Sequence, residues 1–149
     1  MTKHNRRGGF TLVEVLIVVV IMAVLAATII PQFSDSTRDA QRNTANFNLH
    51  TLRSQIQLYK AQHDGKVPTA TLVELTSKTD AAGTVGTGTT HVYGPYVDVI
   101  PENPLHNSNL VRAAAANPPT AASGAADAGW LYHAATGNVW IDDADMLTE

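Results

Sequence analysis

Cysteine is absent from this chain. No disulfide can staple its fold, and no thiol is available as a nucleophile or metal ligand. Catalytic signatures are also missing. There is no G-x-S-x-G and no H-E-x-x-H, and Gly86-Thr87-Gly88 has neither the G-x-G-x-x-G frame nor the Gly-Lys-Ser/Thr ending of a phosphate loop. The six histidines are scattered. His50 and His63 lie too far apart for an i, i+4 metal pair, so both are expected as surface residues. Lysine and arginine are few and not interleaved with aromatics, which argues against a nucleic-acid surface. These absences point away from an enzyme.

What the chain does have is one long apolar run. Phe10 to Ile30 is nearly unbroken. At about 1.5 Å per residue a helix of that length reaches roughly 32 Å, against a hydrocarbon core of about 30 Å. Lys3, Arg6 and Arg7 precede it. The positive-inside rule keeps them cytoplasmic and puts the C-terminal bulk on the far side, the periplasm in a cell with two membranes. Glu14 interrupts the run one helical turn after Phe10. An acid within a spanning segment is costly and is a functional hypothesis by default. A secretory signal peptide cut after Ala26-Ala27 would have a shorter apolar core. Neither that reading nor a plain signal anchor accounts for Gly9-Phe10 and Glu14 together.

The segment Arg7-Gly8-Gly9-Phe10-Thr11-Leu12-Val13-Glu14 resembles the type III leader of type IV pilins and type II secretion pseudopilins. The resemblance implies cleavage between Gly9 and Phe10 by a prepilin peptidase, with N-methylation of Phe10. It also implies filament-assembly roles for Glu14 and for Pro31, which falls where the family has a proline. The Phe10 amine and Glu14 would then pair, between neighbouring subunits or within one.

Beyond Pro31, Ala45, Leu49, Leu52, Ile56 and Tyr59 recur at spacings of 4, 3, 4 and 3, one apolar face of a helix. Arg42, Asn46, Arg53 and Lys60 read as the opposite face. One helix is therefore expected from Phe10 to about His63, kinked or loosened at Pro31. Asp64-Gly65 and Pro68 would stop it. The expected organisation is a leader at 1–9, a transmembrane helix at 10–30, an amphipathic continuation at 31–63 and a periplasmic head at 64–149.

In the head, Thr71-x-x-Glu74 fits a capping box opening a short helix to about Lys78. Residues 80–90 read as an exposed loop, and His91 to Ile100 as extended segments. Residues 112–127 are rich in Ala, Pro and Ser and read as a mobile excursion. Trp130–His133 and Asn138–Ile141 flank a Gly-containing turn and read as a β-hairpin. The expected fold is α+β and pilin-like, one long helix packed on a small antiparallel sheet.

Formal net charge is −3. From residue 61 onward acids outnumber bases ten to three, whereas bases lead between 32 and 60. That asymmetry suggests electrostatic contact between subunits, with a solvated surface as the plainer alternative.

Gly94-Pro95-Tyr96, Ile100–Pro104 and Gly129–Tyr132 resemble the G-type major pseudopilins. That resemblance implies a structural subunit of a type II secretion pseudopilus. Its partners would be copies of itself, minor pseudopilins and an inner-membrane assembly platform, with protein export as the outcome. It also raises calcium. Asp142, Asp143 and Asp145 are the candidate ligands, but the tail lacks a Gly-rich loop to arrange six to eight oxygens, so a solvated tail without cofactor is the default. The alternatives are a type IV pilin for adhesion, motility or DNA uptake, and a membrane-anchored periplasmic binding domain.

Overall fold

The computed structural model describes residues 9–125 and 128–147. The element order is α1 (Leu12–Gln62), α2 (Val73–Thr76), β1 (Val111–Ala113), β2 (Trp130–His133) and β3 (Asn138–Ile141). The chain divides into two compact units, Met1–Asp39 and Ala40–Glu149, with α1 contributing to both.

In the first unit, α1 is long and apolar enough to cross a membrane. Its apolar side chains are exposed all round, Leu16, Ile21 and Leu25 among them. The helix is continuous through Pro31, whose side chain lies outside the described residues.

In the second unit, the helical seam is the one its spacing dictates. Ala45, Leu49, Leu52, Ile56 and Tyr59 are all buried and pack with Trp130, Tyr132, Val139 and Ile141. These four sheet residues alternate along β2 and β3, so one sheet face meets the helix. The basic residues do not lie opposite this seam. At about 100° per residue, Arg42 and Arg53 fall beside it, and both reach the sheet side. Arg42 pairs with Asp145 at 3.3 Å, and Arg53 donates from Nε and Nη2 to the Val139 carbonyl. Phe47 and Leu58 occupy the outer face and are exposed.

The helix stops as expected. Asp64 and Gly65 both adopt positive φ, and the Gly65 amide reaches back to the Lys60 carbonyl at 2.8 Å, the six-to-one bond of a Schellman cap.

The sheet differs from expectation in one pair. Its order is β1-β2-β3; β2 and β3 are antiparallel, with Leu131 opposite Trp140, but β1 runs parallel to β2, with Arg112 opposite Leu131. The sheet is therefore mixed, and its third strand comes from the start of the segment read as an excursion. Three residues without a turn signal give no alternation long enough to read as a strand. Residues 91–100 form no strand. Tyr93 makes only an isolated bridge to Thr79.

The capping box at Thr71 does not form. Leu72 takes positive φ at the start of α2, no side chain caps it, and the helix has four residues. Glu74 turns inward, nearly buried, and accepts a bond from the Thr69 hydroxyl at 3.0 Å. Burying Leu72 and Leu75 sets this backbone, and that outweighs the local cap.

Candidate assembly site and terminal carboxylates

The leader residues Arg6, Arg7 and Gly8 lie outside the described residues. Gly9 and Phe10 precede α1 and are exposed. Thr11 is the residue before the helix, and it and Glu14 hold each other. The Glu14 amide donates to Thr11 Oγ1 at 3.2 Å, while Glu14 Oε2 accepts from the Thr11 amide at 2.9 Å and its hydroxyl at 2.8 Å. This is a reciprocal capping box, satisfying two helix-start donors that otherwise have no intrahelical partner. The signature Thr-x-x-Glu was readable in the sequence at this position. The same signature at Thr71 formed no box, so it is the free helix start at Thr11 that allows it.

Glu14 is thus an acid with a local partner. Its carboxylate lies against the amide of Thr11, the residue that follows Phe10. Cleavage after Gly9 would create an amine one residue before that amide.

The C-terminal carboxylates differ in burial: Asp142 is buried, Asp143 half-buried and Asp145 exposed. Asp142 accepts from the Ser123 amide at 2.7 Å and from the Ser123 hydroxyl. Asp143 lies 3.5 Å from His106 Nε2, and Asp145 pairs with Arg42. The three acids turn to three different segments. Among the described residues, no group of three His, Cys, Asp or Glu side chains is placed to hold a metal. No local sequence signal marks the Ser123–Asp142 tie, because the two residues stand nineteen positions apart with the whole hairpin between them.

His63 is also not at the surface. It is fully buried, with Nδ1 2.9 Å from the Tyr59 carbonyl and Nε2 3.0 Å from both Thr79 Oγ1 and the Asp80 carbonyl. It continues the seam one turn beyond Tyr59, a periodicity that could have found it.

Residues 4–30 match the family described as the prokaryotic N-terminal methylation motif. With this motif and a long apolar helix ahead of a small α+β unit, the chain is similar in class to type IV pilins and type II secretion pseudopilins. Within that class its similarity runs to G-type proteins. It is 35% identical over 57 residues to the type II secretion system core protein G of Dickeya chrysanthemi, covering 38% of this chain and 37% of that one. It is 29% identical over 107 residues to the protein of the same name from Aeromonas hydrophila, covering 70% and 72%. It is also 32% identical over 60 residues to the ComG operon protein 3 homolog of Bacillus licheniformis, covering 40% and 62%. The chain thus spans little more than a third of the length of the first of these relatives. No solved structure matches it.

Proposed function

We propose that this chain is a structural subunit of a type II secretion pseudopilus, anchored by a single membrane pass, with its C-terminal unit in the periplasm. The observation that carries this reading is the coincidence of the methylation motif at residues 4–30 with an exposed apolar helix whose start holds one acid, Glu14. A prepilin peptidase cuts between Gly9 and Phe10 and the new amine is methylated. Subunits wait in the inner membrane and are lifted by an assembly platform into a filament, with minor pseudopilins as further partners. Filament growth pushes or gates the exported protein.

Glu14 fixes axial register by pairing with the Phe10 amine of a neighbouring subunit. Two charges that would each be costly alone in the apolar bundle neutralise one another, and their value lies in register more than in raw stability. The methylation motif at residues 4–30 is equally compatible with a second reading, a type IV pilus subunit.

The test has two parts. Intact mass and N-terminal sequencing of membrane-extracted protein should give a methylated chain starting at Phe10; a start at Thr28 would mean ordinary signal peptidase and would end the filament reading. Glu14→Leu, expressed with its own secretion machinery, should insert normally but yield no sheared filaments. Normal filaments at normal membrane levels would remove Glu14 from assembly.

A further inference from the structure

Leu131 is nearly buried, although its side chain points away from the helix. Its neighbours Trp130 and Tyr132 face the α1 seam, so Leu131 belongs to the outer face of β2. What covers it is the chain that follows β1. Residues of the 113–123 stretch, among them Ala113, Pro119, Ala121 and Ser123, line a pocket of about 270 Å³ together with Leu131. The cover is loosely packed. Its side chains are small and a void lies beneath them, so dispersion contacts holding it down are few.

Polar ties are correspondingly important. At the near end, the Ala114 amide donates to the Tyr132 carbonyl at 2.8 Å, continuing the β1–β2 ladder. In the middle, Asn117 bonds Thr136 Oγ1 at 3.2 Å and accepts from Asn138 at 3.1 Å, but all of this is exposed to competing water. At the far end, Asp142 takes both the amide and the hydroxyl of Ser123. Asp142 is only 3% exposed, so the tie joins a buried carboxylate to an exposed serine, and it is the one charge-assisted tie among the three. Asp142 itself is fixed by its own amide, which donates to the Gly129 carbonyl at 3.2 Å. The anchor therefore stays in place when the segment it holds does not.

We propose that residues 114–125 are a latched flap over the outer face of β2, and that Asp142 is the latch. Releasing it uncovers Leu131 and opens the pocket without disturbing the seam between α1 and the inner face. The flap supplies none of the buried residues of that seam. The head thus has a second, locally open state that displays an apolar sheet face.

Hydrogen exchange of the full chain in detergent micelles, read by mass spectrometry, tests this. In Asp142→Ala, peptides within 114–125 should exchange at least about tenfold faster, while peptides from 45–60 and 138–141 keep their wild-type rates, the mark of a local opening. Unchanged exchange in 114–125 overturns the latch. So does acceleration there that merely parallels acceleration in α1, since that is global unfolding. Should Asp142→Ala fail to fold, Ser123→Ala removes one tie from an exposed residue and should accelerate the same peptides about threefold, again locally. No local acceleration in that variant overturns the proposal.

Discussion

The rings of Tyr59 and His63 stack with centroids 4.0 Å apart and planes 15° from parallel, closing the buried seam at the end of α1. Tyr93 approaches the same imidazole at 5.0 Å. His63 thereby joins the helix end to the segment starting at Thr79. His63→Ala should remove the stack and leave the Thr79 hydroxyl without its partner, costing about 2–4 kcal/mol. His63→Phe should recover part of that by keeping the ring. Denaturant unfolding followed by tryptophan fluorescence reads both; a His63→Ala loss under about 1 kcal/mol would mean that the stack is incidental.

Two leucines on α1 separate the seam from the outer face. Leu52 is fully buried and Leu58 is 45% exposed. Leu52→Ala should cost about 2–5 kcal/mol. Leu58→Ala should stay within about 0.5 kcal/mol, as surface changes do. A fragment starting at Gln32 should fold as a soluble monomer, because the residues of this core begin at Ala45. Equal effects of the two substitutions, or an unfolded fragment, would contradict this layout.

The seam, the helix stop and the hairpin were legible because each is local. Ala45 to Tyr59 carries a 3.6 period, Asp64-Gly65 a cap, and Trp130–Ile141 two short branched and aromatic runs around a turn. What escaped depended on residues distant in sequence. Asp142 looks like a tail acid until Ser123 is brought beside it. Arg42 and Arg53 look solvent-facing until Asp145 and the Val139 carbonyl arrive from β3 and beyond. Glu74 matched a cap signature, but tertiary burial of Leu72 and Leu75 took precedence over it.

Gly137 in the hairpin and Gly65 at the helix stop both have positive φ, at 78° and 81°. They differ in surroundings. A Cβ on Gly137 would meet Val67 Cγ1 at 2.7 Å, whereas one on Gly65 has nothing within 4 Å. Gly65→Ala should cost about 1 kcal/mol, the backbone strain alone. Gly137→Ala should cost about 2–3 kcal/mol, because the clash adds to the same strain. Thermal midpoints of the two variants compare them directly, and equal losses would mean that Val67 yields freely.

Tyr132 sets the response to alkali. It is fully buried, and its hydroxyl donates to the Pro68 carbonyl at 2.9 Å. Burial raises its pKa far above the ordinary tyrosine value, and the negative charge of Glu74 and the nearby Tyr59 add to the rise. In the unfolded chain the same phenol ionises near pH 10. Above that pH the folded state keeps a proton that the unfolded state has lost. The contribution of Tyr132 is therefore complete below about pH 10 and falls as pH rises toward the folded value, by at most about 1.4 kcal/mol per pH unit. Tyr59 and Tyr96 are also raised, chiefly by burial, and steepen the decline. Tyr132→Phe should lose about 1–2 kcal/mol at neutral pH, because the Pro68 carbonyl loses its donor. Between pH 10 and 11.5 its stability should decline less steeply than wild type, and the two curves should converge. Denaturant titrations across that range measure both slopes. Parallel curves would show that Tyr132 ionises equally in both states, and that its burial opens before the head unfolds.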